Sequence, residues 1–441
     1  MIRAQLTLAD AWRYRGRERV LFMLSFLSIL AGYLLVLARK TGGFPTGWQA
    51  YLPLLVYLVA ILVTHLALVL MRFRGDQLLL AAVFYLAGFG LLIQSRMGAY
   101  EEIDPGKIAA YAFPAGLALM LLVIILFRRG RYRALRPLAL PCAALAALLL
   151  GAILVFGHRY RGAYFLPGNI NPADIIKILL MIFLAGALAR WQEKGVRAGP
   201  RELLPLLLGW AAPMTLLVLQ RDLGMLALLN AVLLVMLAVA SGRFSYLALG
   251  AAGTAILGAT VYFFSAHARV RLAAWLAPFA DPTGTSWQVL QALSAMYAGG
   301  IWGVGLGGGS PQFIPIASSD FIYAVIGEEL GYAGCGIVLA FFLVLIFRGY
   351  RVAGGLPVPF GRLLAAGIVT TLAFQVLLNI GGVMKALPLT GITLPFISHG
   401  GSSLLTTFLG FGLLLAISER EGETCKANMK PSPRRARRKA H

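Results

Sequence analysis

Residues 389–418 read LTGITLPFISHGGSSLLTTFLGFGLLLAIS, a helix-breaking segment that leads directly into a long apolar run. The run at 400–418 matches the length of ~20 residues that a helix needs to cross a hydrocarbon core of ~30 Å. A helix that only had to cross a membrane would not carry the proline, three glycines, three serines and histidine of residues 389–403 at its entrance. The stretch therefore predicts a membrane protein whose last helix begins in irregular backbone, which membranes tolerate only where protein or a watery cavity satisfies it.

Apolar runs of similar length recur along the whole chain, which is 59% hydrophobic and only 13% charged. A soluble protein of 441 residues could not bury that much apolar surface, so lipid must surround most of it. We therefore predict an all-α polytopic membrane protein with about twelve transmembrane helices. The predicted spans are 20–38, 50–71, 77–95, 108–127, 136–156, 173–190, 203–219, 223–240, 245–265, 320–347, 363–386 and 400–418.

The net charge of +22 is concentrated in alternate connections and in both termini. Because basic connections stay in the cytoplasm, both termini are predicted to be cytoplasmic in a multi-pass protein of the plasma membrane. The basic tail fits this topology signal and attraction to anionic lipid better than a nucleic-acid role.

No cleavable signal peptide is apparent. The three cysteines (Cys142, Cys335, Cys425) have no metal-binding spacing.

One outer connection, 266–319, is far longer than the others, and long loops on a rigid scaffold often carry function. Its aromatic and aliphatic residues predict short amphipathic helices that lie back on the membrane surface or the bundle. Asp281 begins the turn sequence DPTG between two such helices. An isolated carboxylate there is a candidate general base. Asp281 could equally be an ordinary turn or capping residue.

Charged residues inside predicted spans usually mark a pathway or a site. Asp174 and Lys177 share one helix face near the start of a span, where they could simply pair. Glu328 and Glu329 lie within span ten, and Lys385 closes span eleven. Most of these charges fall near the outer end of the bundle, which predicts a polar cavity open to the outer leaflet. Structural ion pairing remains an alternative for any single pair.

The opening segment enters its span from the same outer side. Pro395 prevents a regular helix, Gly400 and Gly401 allow close backbone approach, and Ser402 and Ser403 can cap the following helix. The free N–H groups of such a helix start can bind an anion. The segment is therefore predicted to form part of the cavity wall, with plain packing through small residues as the alternative.

Five motifs, in order, resemble the SEDS family (shape, elongation, division and sporulation proteins such as FtsW, RodA and SpoVE) over roughly residues 80–430. They are NINPADIIKI at 169–178, QRDLGM at 220–225, WLAPFADPTGTSWQVLQ at 275–291, SDFIYAVIGEELGYAG at 319–334 and NIGGVMKALPLTGITLPFISHGGSS at 379–403. The chain departs from the family pattern at four motif positions. These are His399 for tyrosine, Asp174 for glutamate, Arg221 for proline and Ser319 for threonine. The 157–173 loop also has HRYRGAYF in place of the family's Asn-Gly-Ala-Arg-Arg-Trp, and Arg159 and Arg161 are taken as the counterparts of those arginines.

The resemblance implies a ten-helix core at 77–418 that includes the outer loop, preceded by two additional helices within 20–76. The remaining parts are a basic N-terminus at 1–19 and a basic tail at 419–441. It also implies a peptidoglycan glycosyltransferase that polymerises lipid II during elongation, division or sporulation. Such an enzyme works with a class B penicillin-binding protein, which crosslinks the product.

Carried over by motif, Asp281 is the implied general base, which takes a proton from the attacking sugar hydroxyl in a single inverting displacement. The departing pyrophosphate needs cations or helix-start amides. The implied substrate-binding residues are Arg159, Arg161, Lys177, Arg269, Gln288, Glu328, Lys385, Ser398, His399, Gly400, Gly401 and Ser402. No dedicated metal cage is recognisable, so no cofactor is assigned. A divalent cation (Mg²⁺ or Mn²⁺) bridging the pyrophosphate is left open.

Two other classes of function fit the same features. Broken helices and intramembrane charges are also typical of transporters, so the chain could be a flippase for a lipid-linked cell-wall precursor. It could also be a non-catalytic scaffold that recruits the penicillin-binding protein. The long Asp281 loop favours chemistry, because a transporter has less need of a folded outer platform.

Overall fold

Helices form most of the protein in the computed structural model, which describes residues 7–45, 47–97, 105–160, 163–165, 172–193, 200–264 and 266–428. Long helices occupy all twelve predicted spans. They are α2 Gly16–Thr41, α3 Leu52–Leu70, α4 Gln77–Met97, α5 Pro105–Phe127, α6 Ala139–Phe156, α7 Ala173–Glu193, α8 Pro200–Gln220, α9 Leu223–Ser241, α10 Ser245–Phe264, α13 Ile322–Gly354, α14 Pro359–Val383 and α15 Gly401–Asn428.

Three shorter helices complete the helical set: α1 Leu8–Tyr14, α11 Ala266–Leu276 and α12 Trp287–Gly299. Short 3₁₀ turns cover Trp48–Tyr51, Arg131–Leu138, Pro278–Ala280 and Pro311–Phe313. In the described ranges, the strands are β1 His158–Tyr160 and β2 Ala163–Phe165, a small antiparallel hairpin with His158 opposite Phe165. The expectation of a polytopic α-helical membrane protein is therefore confirmed, with this hairpin as a minor addition.

Nine helices of the described residues are long and apolar enough to cross a membrane. The other three long helices, α7, α8 and α10, lie where spans are predicted, and their crossing stays a prediction. Helix α7 carries Asp174, Lys177, Arg190 and Glu193, which lower its apolar character. Ionised side chains are costly at membrane depth, so these residues are expected to lie near the ends of the helix or to be paired, as Asp174 and Lys177 are.

The bundle has a buried centre and a lipid-exposed rim. About four fifths of the apolar windows of α4 (83%) and α14 (78%) are buried, whereas α6 buries only 28%. Helix α15 packs along α5, and α14 packs against α7, α9 and α13. Helices α4 and α14 therefore lie at the centre of the bundle, and α6 lies at its rim.

A buried polar cluster joins the N-terminal helices α2 and α3 to each other and to the connection before α4. Arg15 and Glu18 form an ion pair, and Nδ1 of His65 on α3 lies 2.7 Å from Oε1 of Glu18. The Arg15 guanidinium also donates to the carbonyl of Phe73 at 2.9 Å, just before α4. Because leaving one member of a buried ion pair without its partner is costly, this cluster holds α2, α3 and the connection before α4 together. The domain boundaries themselves stay predictions.

The segment 384–400 between α14 and α15 is non-helical, as its proline and glycines predict. The Gln94 amide on α4 donates to the carbonyls of Ser318 (2.9 Å) and Ile397 (2.8 Å). Ser398 Oγ donates to the Ser319 carbonyl at 2.6 Å and accepts from the backbone of Leu394. Protein groups therefore satisfy this irregular backbone. Phe396 holds a φ of 65°, a strained value for a bulky residue.

Candidate active site at the loop end of the bundle

The outer loop, the segment 384–400 and the starts of α7, α9, α13 and α15 meet at one end of the bundle, called here the loop end. Two side chains tie these parts together. Asn379 on α14 donates to the carbonyls of Asp320 (3.0 Å) and Ile392 (2.8 Å). Trp275 on α11 donates its indole N–H to the Lys385 carbonyl at 3.0 Å. The loop is therefore held on the bundle by a contact with the backbone of the segment 384–400.

Asp281 lies in the turn between α11 and α12, as predicted, and its side chain is exposed. Its Oδ2 accepts hydrogen bonds from the Thr285 backbone N–H (2.8 Å) and the Thr285 hydroxyl (3.1 Å). These bonds from Thr285 lower the pKa of Asp281 below its usual value. The carboxylate is therefore ionised at neutral pH and open to an incoming group. It also fulfils the turn role that was the alternative explanation.

A cavity of about 210 Å³, the Trp275 cavity, lies beside this turn. Its wall combines aliphatic groups with a few polar ones: Val270, Arg271, Ala274, Trp275, Thr285, Gln288, Val289, Gly382, Leu387 and Leu389. Thr285 belongs to this wall and also holds Asp281, so the carboxylate is located at the edge of the cavity. Mostly apolar pockets with a few placed polar groups are typical of ligand sites.

Arg271 is a functional candidate that the sequence reasoning missed, because Arg269 was chosen from the same pair. Arg271 is half-buried and donates to the carbonyls of Leu389 and Thr390, both at 3.2 Å. Burial lowers the pKa of Arg271, and the nearby carboxylates of Asp222 and Asp320 oppose that shift. Arg269 is exposed. The spacing of Arg271 with buried Ala274 and half-buried Trp275, at i, i+3 and i+4, indicates the inward face of α11.

Asp222 illustrates how tightly the loop end is charged. It caps α9 by accepting from the Met225 N–H at 2.9 Å. Burial raises the pKa of Asp222, whereas its bond to Met225 and the charges of Arg271 and Lys177 lower it. The charges of Arg271 on α11 and Lys177 on α7 both act on this carboxylate. The hairpin before α9 therefore lies near both the wall of the Trp275 cavity and the start of α7.

Asp174 and Lys177 form the ion pair that their spacing predicts, with Nζ 2.6 Å from Oδ1. Oδ2 of Asp174 also accepts from the Ser402 hydroxyl at 3.2 Å, at the start of α15. A carboxylate at a helix start complements the helix dipole. The predicted anion site at the α15 start therefore already has an acidic neighbour, which weakens its attraction for a further anion.

The residues of the opening motif line a much smaller space. Ser398, His399, Gly400 and Gly401 face a cavity of about 20 Å³ against α4 and α5. A second small cavity, of about 30 Å³, lies between α7, α14 and α15 and is lined in part by Asp174 and Lys177. Cavities of ~10–15 Å³ or more can hold a water, so both suit water molecules rather than a pyrophosphate.

Glu328 and Glu329 face the glycine-rich segment 303–310 instead of the Trp275 cavity. Glu329 accepts from Arg96 Nε (3.1 Å) and from the Gly307 N–H (2.9 Å). Glu328 accepts from the Ser310 N–H at 3.0 Å, while its other oxygen is buried without a hydrogen-bond partner. The glycine-rich segment pairs with the kink of α13 at Gly331. These acids therefore support the loop platform and lie apart from the walls of the cavities.

The other predicted site residues are distributed as follows. Gln288 is half-buried in the wall of the Trp275 cavity. Lys385 is half-buried at the end of α14 with a φ of 58°. The Arg159 side chain and all of Arg161 lie outside the described residues. In the part of the chain that the structure describes, no group of three or more His, Cys, Asp or Glu residues could hold a metal ion.

Residues 76–423 match the family model described as cell cycle protein, FtsW/RodA/SpoVE. The peptidoglycan glycosyltransferase RodA of Mycobacterium tuberculosis (strain H37Rv) is 35% identical, covering 95% of this chain and 93% of that protein. A probable peptidoglycan glycosyltransferase FtsW of Geobacter metallireducens is 36% identical over 79% of this chain and 95% of that protein.

Solved structures agree with these sequence relationships. A chain from a study of the structural coordination of polymerization and crosslinking by a peptidoglycan synthase complex superimposes with a TM-score of 0.63 at 29% identity, covering 79% of this chain and 98% of that one. The rod shape determining protein RodA of Thermus thermophilus gives a TM-score of 0.58 at 27% identity, covering 79% and 97%. The chain therefore belongs to the FtsW/RodA/SpoVE family of cell cycle proteins, the SEDS family that its motifs resemble.

Proposed function

We propose that this protein is a peptidoglycan glycosyltransferase that polymerises lipid II, with Asp281 as the general base. One observation carries the role of Asp281: its ionised, exposed carboxylate is held by Thr285, and Thr285 lines a cavity at the loop end. The names of the relatives support the enzyme class, because they are glycosyltransferases with 35–36% identity over most of the chain. We place the loop end at the outer face of the bacterial cytoplasmic membrane and both termini in the cytoplasm.

The proposed reaction is a single displacement. The acceptor hydroxyl oxygen forms a bond to the anomeric carbon of the donor sugar while the bond from that carbon to the diphosphate breaks. The hydroxyl proton passes to Asp281, and the electron pair leaves with the lipid diphosphate. Approach of the sugar excludes water from the carboxylate, which raises its pKa toward that of a useful base. A second nucleophilic carboxylate is not needed for one inversion.

The leaving diphosphate gains charge in the transition state and needs positive groups nearby. Among the predicted substrate-binding cations that the structure describes, Lys177 is paired with Asp174, whereas Arg269 and Lys385 form no salt bridge. We therefore assign the diphosphate first to Arg269 and Lys385. A divalent cation would be coordinated mainly by diphosphate oxygens and water, as Mg²⁺ commonly is, because the described part of the chain holds no group of three or more His, Cys, Asp or Glu residues that could bind it.

A class B penicillin-binding protein is the proposed partner. The solved relative supports such a pairing, because it comes from a peptidoglycan synthase complex in which polymerization and crosslinking are structurally coordinated. The same partner also fits the scaffold alternative, in which the chain recruits the crosslinking enzyme without catalysis. The flippase alternative keeps the lipid-linked substrate but removes the chemistry.

Purified protein in liposomes with lipid II distinguishes the three functions. We expect wild-type protein to make glycan polymer, and Asp281→Asn to lose activity by ~10²–10⁴-fold, the usual contribution of a general base. Asparagine can still accept the Thr285 hydrogen bonds, so the turn should survive. Asp10→Asn, an exposed aspartate on α1, is the control. Lipid movement without polymer would favour the flippase. Partner binding without either activity would favour the scaffold.

A further inference from the structure

We propose that the Trp275 cavity is a binding subsite for an uncharged sugar ring, and that the diphosphate of the same substrate binds outside it. This inference rests on the proposed function, because it assigns part of the lipid-linked saccharide to a specific place. The size, lining and charge of the cavity each support it.

The size of the cavity suits one six-membered ring. Its volume is about 210 Å³. An engineered apolar cavity of about 150 Å³ binds benzene, so a somewhat larger space can accept a pyranose ring with its substituents directed outward. The smaller cavities near Lys177 and Ser398, at about 30 and 20 Å³, have no such capacity.

The lining suits a sugar because a pyranose has C–H faces and a polar rim. Trp275 supplies a flat aromatic side chain whose orientation is fixed by its indole hydrogen bond to Lys385. Aromatic side chains of this kind combine an apolar face with a polar edge. Gln288 and Thr285 bring an amide and a hydroxyl to the same wall, where both can exchange hydrogen bonds with ring hydroxyls.

The charge of the cavity argues against a diphosphate inside it. Arg271 is the cation of the described wall, and its charge is opposed by the carboxylates of Asp222 and Asp320. Two acids near one cation leave the region without the positive field that a diphosphate requires. Arg271 also already donates to the carbonyls of Leu389 and Thr390, so it acts as a positioning residue for that wall.

The location of the cavity fits a sugar that reacts. Thr285 lines the cavity and donates two hydrogen bonds to Asp281. A ring in the cavity would therefore contact a residue that is itself bonded to the proposed base. A ring seated there would place its rim hydroxyls or its anomeric carbon toward the carboxylate. The diphosphate would then extend toward Arg269 and Lys385 at the margins of the loop.

The test compares two lipids on the full chain in nanodiscs: lipid II and undecaprenyl diphosphate, which lacks the sugars. Val270→Trp places a large side chain at the half-open rim of the cavity, where Val270 is 45% exposed. The matched control is Leu276→Trp on the same helix, at a residue 63% exposed and outside the cavity wall. We expect Val270→Trp to weaken lipid II binding at least about tenfold and to change undecaprenyl diphosphate binding less than about twofold.

A second variant keeps the volume of the cavity and changes only its chemistry. Gln288→Leu removes the amide, so a sugar hydroxyl loses its partner, and we expect about a tenfold weaker affinity for lipid II alone. Equal losses for both lipids, or no loss for either, would overturn the sugar subsite. Failure of the proposed function has a different signature, since it appears as wild-type protein that makes no polymer whatever its binding selectivity.

Discussion

Asp281 and Glu329 are two acids of the loop end that the structure treats in opposite ways. Asp281 is exposed, and its carboxylate is held by its own turn next to a cavity. Glu329 is fully buried, and its two oxygens accept from Arg96 and Gly307. The comparison teaches that one end of the bundle can hold both an acid that a substrate could reach, Asp281, and an acid that keeps the loop in place, Glu329.

The hydrogen bonds that hold these two acids also differ, in how far apart in the chain their partners lie. The Asp281 turn is stabilised by hydrogen bonds within five residues of chain, from Asp281 to Thr285. The Glu329 contact joins α4, α13 and the glycine-rich segment, which are distant in sequence. Removing Asp281 should therefore affect chemistry and leave the fold intact, whereas disturbing Glu329 should affect the fold first.

The largest expected effect on stability comes from Arg96→Met, which leaves Glu329 buried without its cation. Breaking one side of a buried ion pair typically costs about 3–5 kcal/mol, so we expect a large drop in thermal stability in nanodiscs. The control is Arg136→Met in the exposed Arg136–Glu193 pair, where a change below about 1 kcal/mol is expected. Asp281→Asn should unfold at nearly the wild-type temperature. If Asp281→Asn proved as unstable as Arg96→Met, the contrast between the two acids would be lost.

A smaller effect is expected from Gly303→Ala in the glycine-rich segment. Gly303 has a φ of 79°, and an added Cβ would lie 2.2 Å from the Glu329 carbonyl oxygen. We expect a loss of about 2–4 kcal/mol from the combined strain and overlap. Gly300→Ala is the control, because Gly300 also has a positive φ of 55° but open space around it. About 1–2 kcal/mol is expected there. Similar melting temperatures for the two variants would contradict the close approach to α13.

The smallest effect is a shift of pH dependence in Thr285→Val, which removes one hydrogen bond that lowers the pKa of Asp281. A base acts only when ionised, so activity falls as pH drops through its pKa. Because the substitution raises that pKa, the loss of activity should begin at a higher pH than in wild type. We expect a shift below about one pH unit in the polymerisation profile. Thr283→Val, in the same turn, is the control, and a shift of equal size there would exclude a specific role for Thr285.

Prediction from sequence was most reliable where a single local property decides the outcome. Apolar run length located the twelve long helices, and Pro395 with its glycines predicted the irregular backbone before α15. The turn at Asp281 and the Asp174–Lys177 pair followed from residues three or four apart. Each of these features depends on neighbours in the chain, so the pattern alone contains enough information.

Prediction was least reliable where charges meet across the chain. The sequence reasoning grouped Glu328, Lys177 and the Ser398–Ser402 segment around one cavity with Asp281. The structure separates them: Glu328 faces the glycine-rich segment, and Ser398 faces a cavity of about 20 Å³. Arg271 was overlooked, although its inward spacing on α11 was visible in the sequence. Periodicity shows which face of a helix is buried, but it does not say against what.

The sequence by itself determined that this chain is a helical membrane protein with one long loop that turns at Asp281, because hydrophobic length and turn residues act locally. Its motifs also determined the family, since their order along the chain is itself sequence information. Only the tertiary structure decided that Asp281 is exposed and Glu329 is buried, and where a cavity large enough for a sugar ring lies. Those properties depend on residues brought together from α4, α11, α13 and the segment 384–400. Residues that are distant in the chain become buried and hydrogen-bonded to one another only when the helices pack.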